Sequence, residues 1–172
     1  MGSENYESTV PPYASTTCSS AYTPASETTL NNGLWDGYYY TVPWPDNTYL
    51  ILEKGTKRAI TFEQEAVILQ DVNEEGQRAA QEWHCVSKDN YFAFYNPKSG
   101  KYMGHDGGDY IFAKATEPKA WECITATQHP EGGYRLSMPH YWEWLRVVTV
   151  ADNGKNLSRR VHGTTLWDFV KV

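Results

Sequence analysis

The chain has 172 residues, of which 15% are aromatic, and carries a formal net charge of −6 at pH 7. This length suits one domain with a sizeable core and is short for two. The negative charge repels a phosphate backbone, which argues against nucleic acid as a partner, and no apolar run approaches the roughly 20 residues of a membrane span.

Residues 1–33 form a segment rich in serine, threonine and proline. They hold twelve Ser or Thr and three Pro, but only Val10 and Leu30 as large aliphatic side chains. Because such a segment cannot bury enough apolar surface to offset the entropy of ordering it, we expect a disordered tail. The alternative is an arm that is phosphorylated or docks on a partner. The first basic side chain is Lys54, so the positive n-region of a signal peptide is missing. We therefore expect a protein that is cytoplasmic or exported without a signal peptide.

From Leu34 onward the chain changes to short apolar or alternating runs, separated by clusters of Gly, Pro, Asn and Asp. This pattern is typical of many short strands joined by tight turns. It predicts one all-β domain over residues 34–172. Residues 74–82 could form a single helical turn, which Gly76 weakens.

Three segments of the domain share one sequence pattern. Trp83, Trp121 and Trp167 are each followed by a polar residue, a residue that can be buried and a β-branched aliphatic. A turn residue paired with Tyr begins each predicted repeat, and a further strand candidate precedes each Trp. The repeat tyrosines are Tyr38, Tyr91 and Tyr134, and the strand candidates are residues 66–72, 109–115 and 155–161.

These recurrences divide the domain into repeats at about residues 37–89, 90–132 and 133–172. Each repeat has four candidate strands, which gives twelve strands in three pseudo-symmetric units. Propeller blades have a similar length, but three blades are too few for a usual propeller. The sequence therefore predicts a β-trefoil.

Residues at matching places after the three tryptophans are predicted to form the core around the pseudo-three-fold axis. These are Cys85, Cys123 and Phe169, since a buried Cys behaves as a small hydrophobe. With Cys18 in the tail, the three cysteines are an odd number, and we expect free thiols. The rest of the predicted core consists of Trp83, Trp121 and Trp167 together with Leu50, Met103 and Leu145.

Motifs for chemistry are weak in this sequence. His105, Asp106 and Asp109 could hold a metal ion, but a Gly-rich acidic turn is more often a solvated hairpin. The sequence has no Cys-x-x-Cys pair, no His-x-x-x-His pair and no G-x-S-x-G elbow. We therefore expect neither metal nor cofactor and no catalysis, although a glycosidase carboxylate pair requires geometry to test.

Aromatic residues are densest over residues 139–144, which include His140, Tyr141, Trp142 and Trp144. An exposed indole at Trp142 would stack on the apolar face of a pyranose, while nearby polar groups bind its hydroxyls. The alternative is that these rings pack beneath loops or close one end of the barrel.

The residues that close the repeats resemble those of two known families. Gln81-Glu82-Trp83 matches the Q-x-W motif of ricin-B-type trefoils, whereas Lys119-Ala120-Trp121 and Thr165-Leu166-Trp167 keep only its Trp. Residues 167–172 are similar to the last strand of small fungal ricin-B-like lectins. Residues 99–104 also resemble the G-K-Y-L-G turn of fascin-like trefoils.

The ricin-B resemblance implies a lectin that binds a glycan or glycoprotein through an Asp, an aromatic ring and a polar residue of one repeat. The second alternative is a protein-interaction trefoil: the fascin-like turn favours an actin binder, and the two long loops of repeat one, residues 54–64 and 73–79, favour a protease inhibitor of the trefoil type. An enzyme is the third alternative. The candidate ligand-binding sets are Trp142, Asp152 and Asn153 with the flanking rings His140, Tyr141 and Trp144 in repeat three, and Asp106, Asp109 and Tyr110 in repeat two.

Overall fold

The structure, a computed structural model, describes residues 34–35, 38–72, 76–141 and 144–172. The predicted tail and the predicted ligand residue Trp142 lie outside the described residues. The all-β prediction is confirmed, with two single helical turns between strands and no helix in the described ranges long enough to cross a membrane. The elements are β1 (Leu34–Trp35), β2 (Tyr38–Tyr39), β3 (Asn47–Glu53), β4 (Arg58–Glu63), β5 (Ala66–Asp71), α1 (Arg78–Gln81), β6 (Glu82–Lys88), β7 (Tyr91–Asn96), β8 (Lys101–His105), β9 (Ile111–Ala115), a 3-10 turn (Ala120–Glu122), β10 (Thr125–Gln128), β11 (Tyr134–His140), β12 (Trp144–Val150), β13 (Leu157–Arg160) and β14 (Trp167–Lys171).

Six strands pair edge to edge in a closed antiparallel ring, which leaves no strand edge open. Its order is β3, β6, β7, β10, β11 and β14, and β14 returns to β3. Between β7 and β10 the link is one residue pair, Phe92 and Ile124, whose backbone groups bond to each other in both directions at 2.8 and 2.9 Å.

Apart from the two-residue strands β1 and β2, the remaining six strands form three hairpins, β4–β5, β8–β9 and β12–β13. The hairpins also pair with one another, because β5 meets β9 and short bridges join β5 and β9 to the β13 region. Each of the three units therefore contributes two strands to the ring and one of the three hairpins.

Phe169 lies at the centre of the barrel core. Its ring packs edge-on against Tyr49 and Tyr134, with centroids 5.5 Å away in both cases, and is stacked on Phe94 at 5.8 Å. Cys85, Cys123 and Phe169 are all buried, as predicted, but Cys123 is not part of the main core cluster that holds Cys85 and Phe169, so the predicted equivalence of the three is wrong. Burial raises the pKa of the Cys85 thiol to about 12, so this thiol stays protonated at neutral pH.

The prediction that Trp121 belongs to the core is wrong. Trp83 and Trp167 are fully buried opposite Tyr49 and Tyr134, and their indole N–H groups donate to the carbonyls of Ile60 and Val148. The residue of the middle unit that occupies the same ring position is Ile124, opposite Phe92. Trp121 precedes it by three residues, in the 3-10 turn, and is 46% exposed.

Side-chain contacts confirm this register. Two residues before the buried Trp, Gln81 donates to Thr61 in the first unit, and Thr165 hydrogen-bonds Thr149 in the third. In the middle unit, the equivalent contact is made by Glu122 with Gly104. The Glu122 carboxylate lies so close that a Cβ added to Gly104 would be 2.7 Å from it. The closing motif of this unit is therefore Glu122-Cys123-Ile124.

Three further expectations based on the sequence register need correction. The ring partners of the closing residues are Tyr49 and Phe92, so Tyr38 and Tyr91 are not equivalent to Tyr134. Leu145, expected in the core, is 50% exposed near the start of β12. Met103 does lie in the main core, while Leu50 is buried in a smaller cluster with Leu52, Ala59 and Val170.

Candidate ligand-binding surface

The loop between β8 and β9, residues 106–110, is held in place by a fully buried arginine, Arg159. The backbone N–H of Arg159 donates to the Asp109 carbonyl at 2.7 Å. Its Nε donates to the Gly108 carbonyl at 2.7 Å and its Nη2 to the Gly107 carbonyl at 2.8 Å. Because three consecutive carbonyls bond one residue of a core strand, this loop is a rigid platform for the side chains it carries.

His105 completes the attachment of the loop. Its ring is buried, its Nδ1 accepts from the Gly107 N–H at 3.0 Å, and its Nε2 lies 3.0 Å from Nη1 of Arg159. Burial, and then the charge of Arg159, lower the pKa of His105 to about 4. The imidazole is therefore neutral at neutral pH.

Two exposed indoles flank the loop, and each contacts an imidazole. Trp121 lies against His105, with centroids 5.5 Å apart at 31°, and Trp144 lies against His140 at 5.5 Å and 26°. Trp144 is 53% exposed. Tyr141 packs edge-on against His140 and has φ of 50°, in the left-handed region that is uncommon for residues other than glycine. The imidazoles orient rings that remain open to solvent.

A cleft of about 330 Å³ lies between the β8–β9 loop and strands β12 and β13. Asp109 and Arg146 form an ion pair across it at 2.6 Å, and Arg160 on its rim pairs with Asp152 at 2.9 Å. We call it the arginine cleft; its lining residues are Asp109, Tyr110, Arg146, Ser158, Arg159, Arg160 and Val161.

Trp121 lines two further clefts, of about 580 and 280 Å³, which share Lys114, Ala115, Trp121 and Glu122. Burial raises the pKa of the Glu122 carboxyl, whose Oε2 accepts from the Lys119 N–H at 2.9 Å. Lys114 lies 4.0 Å from the centroid of the Phe112 ring. This surface combines an exposed indole with donors and acceptors for hydroxyl groups.

The structure brings the predicted residues of repeat two together with the predicted flanking rings of repeat three. Asp106, Asp109 and Tyr110 lie on the β8–β9 loop, and the Asp109–Arg146 ion pair joins that loop to β12, which begins at Trp144. At the same end of β12, the ring of His140 is stacked on Trp144 and meets Tyr141 edge-on.

Asp152 and Asn153 follow the other end of β12, and among the described residues Asp152 is connected to the arginine cleft only through its ion pair with Arg160. Seven residues at roughly 3.3 Å each separate the two ends by about 20 Å. Asn153 serves a local turn, where its Oδ1 accepts from the N–H groups of Lys155 and Asn156. Trp142 is outside the described residues.

Sequence reasoning did not select Arg146, Arg159, Ser158 or Trp121. The first three lie in strands whose local sequence resembles any half-buried strand, so only the tertiary pairing reveals their role. In the described ranges no group of three or more His, Cys, Asp or Glu side chains is placed to hold a metal ion.

Known proteins provide a comparison for the fold. No family model and no curated protein sequence matches the chain. Among solved structures, the ricin B-like lectin of Macrolepiota procera in complex with lactose superposes with a TM-score of 0.62 at 14% identity, over 75% of this chain and 98% of that one. The designed three-fold symmetric protein ThreeFoil superposes with a TM-score of 0.59 at 15% identity, over 73% of this chain and 99% of the design. This chain has the β-trefoil fold.

The same trefoil also occurs as part of larger enzymes. An endo-β-galactosidase of Clostridium perfringens that releases GlcNAcα1-4Gal superposes with a TM-score of 0.60 at 17% identity, over 73% of this chain. The chain spans about a third of that enzyme, 32% of its length. The likeness therefore concerns the trefoil fold and not the enzyme as a whole.

Proposed function

We propose that the protein is a non-catalytic glycan-binding module, and that its site is the surface around the β8–β9 loop. The observation that carries the proposal is the pair of exposed indoles, Trp121 and Trp144, each backed by an imidazole beside a polar cleft. The lactose complex of the lectin neighbour, on the same fold, supports it.

The arrangement suits a saccharide for physical reasons. An indole offers a flat apolar face to the C–H face of a pyranose, and the imidazole behind it limits the rotamer entropy lost on binding. Carboxylates at Asp106 and Asp109 accept hydrogen bonds from hydroxyls, while Arg146 and Lys114 donate them. Trp144 is our first choice of platform, because Arg146, which forms the ion pair with Asp109, lies two residues further along β12.

The main alternative is a protein-binding surface. Leu145 and Val161, both at least half exposed, extend the apolar area beside Trp144 and the arginine cleft. Exposed apolar patches often mark contacts with other proteins. A protein partner would bury these aliphatic side chains, whereas a sugar stacked on the indole need not touch them.

We expect the folded protein to bind a saccharide on a broad glycan array, and Trp144→Ala to weaken that binding by about 5- to 150-fold. This range corresponds to the roughly 1–3 kcal/mol of one good contact residue. Titration calorimetry with the best array ligand would measure it, and circular dichroism would show that the variant is folded.

Trp44→Ala is the matched control, because Trp44 is 68% exposed but lies before β3, outside this surface. Its affinity should equal that of the wild type. An array on which the folded wild type binds no glycan contradicts the proposal and favours the protein-binding alternative. If Trp144→Ala binds the saccharide as tightly as the wild type, the binding site lies elsewhere on the protein.

A further inference from the structure

The arginine cleft carries a local excess of positive charge. Three guanidinium groups, those of Arg146, Arg159 and Arg160, line it. Asp109 and Asp152 pair with the first and the last. Arg159 is fully buried, and its side-chain hydrogen bonds go to the neutral carbonyls of Gly107 and Gly108, beside the neutral ring of His105; no ion pair of the described residues includes it. One buried cation therefore lacks a paired anion at this cleft, in a chain whose formal net charge is −6.

Two polar atoms of the cleft are also buried without a hydrogen-bond partner among the described residues. They are Nε of Arg146 and Oγ of Ser158, a residue only 3% exposed. Buried polar atoms are almost always hydrogen-bonded in folded proteins, so unpartnered ones at a cleft indicate the position of a bound group. Both can donate a proton, and Nε of an arginine can only donate.

This set of donors favours an anion over a hydroxyl. A hydroxyl can accept from Arg146 or Ser158, but it brings no negative charge to balance the guanidinium of Arg159, which has no ion-pair partner among the described residues. A carboxylate or sulfate accepts only, and guanidinium groups bind such planar or clustered oxygens strongly. The cleft volume of about 330 Å³ accommodates one such substituent on a sugar.

We propose that the arginine cleft binds the acidic group of an anionic saccharide, either the carboxylate of a sugar acid or a sulfate ester. The inference rests on the proposed glycan function, because it places the sugar ring on Trp144. Trp144 and Arg146 are two apart on β12, so their side chains leave the same face of the strand. A saccharide stacked on the indole thus directs a substituent towards the arginine side chain.

The test compares three matched ligands by titration calorimetry: lactose, sialyllactose and lactose 3′-sulfate. We expect one acidic ligand to bind the wild type at least about 10-fold more tightly than lactose, with an advantage that shrinks in high salt. The two acidic arms identify whether the cleft prefers the carboxylate or the sulfate.

Ser158→Ala and Arg146→Lys test the donors with little change to the fold. Ser158→Ala removes an unpartnered buried oxygen, and Arg146→Lys keeps the charge beside Asp109 but removes the Nε donor. Each should weaken the acidic ligand by about 10- to 100-fold, the range for a lost hydrogen bond to a charged group. Ser158→Ala should leave lactose affinity unchanged, because Ser158 is not among the groups proposed to bind the sugar hydroxyls. Thermal denaturation of Ser158→Ala should show undiminished stability, which separates a ligand contact from a structural one.

The outcomes are distinguishable. Equal wild-type affinity for lactose and both acidic ligands overturns the anion site and leaves glycan binding intact. An equal loss for all three ligands in Ser158→Ala also overturns it, since the serine would then contact the common part of the sugar. Absence of binding to any saccharide contradicts both proposals.

Discussion

Replacing Trp167 with alanine should lower the free energy of unfolding by about 3–5 kcal/mol, the usual range for a fully buried Trp. The indole is completely buried opposite Tyr134 on the ring. Its removal leaves a cavity in a core that Phe169 and Tyr134 already fill by edge-on packing, which limits collapse into the space. It also leaves the Val148 carbonyl, which accepts the indole N–H at 3.2 Å, without that donor. Urea denaturation, followed by circular dichroism, would measure the loss.

Trp121→Ala is the matched comparison, because the sequence pattern places both tryptophans at the same repeat position. The 46% exposed indole of Trp121 contacts His105 on one face, and its loss should cost less than about 1 kcal/mol. A loss as large as that of Trp167→Ala would mean that Trp121, and not Ile124, occupies the core position of the middle unit. A small loss for Trp167→Ala would contradict the barrel packing described above.

The contrast between these tryptophans shows what the sequence could reveal about the fold. The three hairpin strands predicted at residues 66–72, 109–115 and 155–161 are present as β5, β9 and β13, because alternating apolar runs between turn clusters are local signals. The register of the middle unit is not local. It depends on which residue pairs with Phe92, and Ile124, an aliphatic residue, takes that place. Trp121, three residues earlier, is followed by the same residue pattern as Trp83 and Trp167, so a search for repeats selects it instead.

The candidate site was also visible only in part. Asp109, Tyr110 and Trp144 were selected because polar turns and dense aromatics stand out in a sequence. Their proximity is a tertiary fact, established by the Asp109–Arg146 ion pair between two repeats. Arg159 gave no sequence signal at all, since a charged residue in a short strand normally faces solvent. Its burial follows from the three loop carbonyls that its N–H groups satisfy, in addition to the neutral His105 beside it.

The buried contact between His105 and Arg159 predicts a specific dependence of stability on pH. The pKa of His105 is about 4 in the folded protein, below its ordinary value of 6.5. Above pH 6.5 both folded and unfolded chains hold the imidazole neutral, and its contribution to stability is fully present. As the pH falls from 6.5 to 4, the unfolded chain binds a proton that the folded chain refuses, so unfolding becomes easier. We expect a loss of roughly 3 kcal/mol from this residue between pH 7 and pH 4, at 1.36 kcal/mol for each unit of pKa difference.

The variant His105→Gln isolates this effect, because buried carboxyls act in the opposite direction. Burial raises the pKa values of Glu122 and Asp168, so these groups regain stability as they become protonated at low pH, in the wild type and the variant alike. The comparison is therefore the difference in unfolding free energy between the two proteins, measured by urea titration at several pH values. His105→Gln should be the less stable protein at pH 7, since it alters the contacts that hold the β8–β9 loop, and that deficit should shrink by roughly 3 kcal/mol by pH 4. A deficit that stays constant over this range would show that His105 titrates near its ordinary pKa, and that the loop is not held by a buried neutral imidazole.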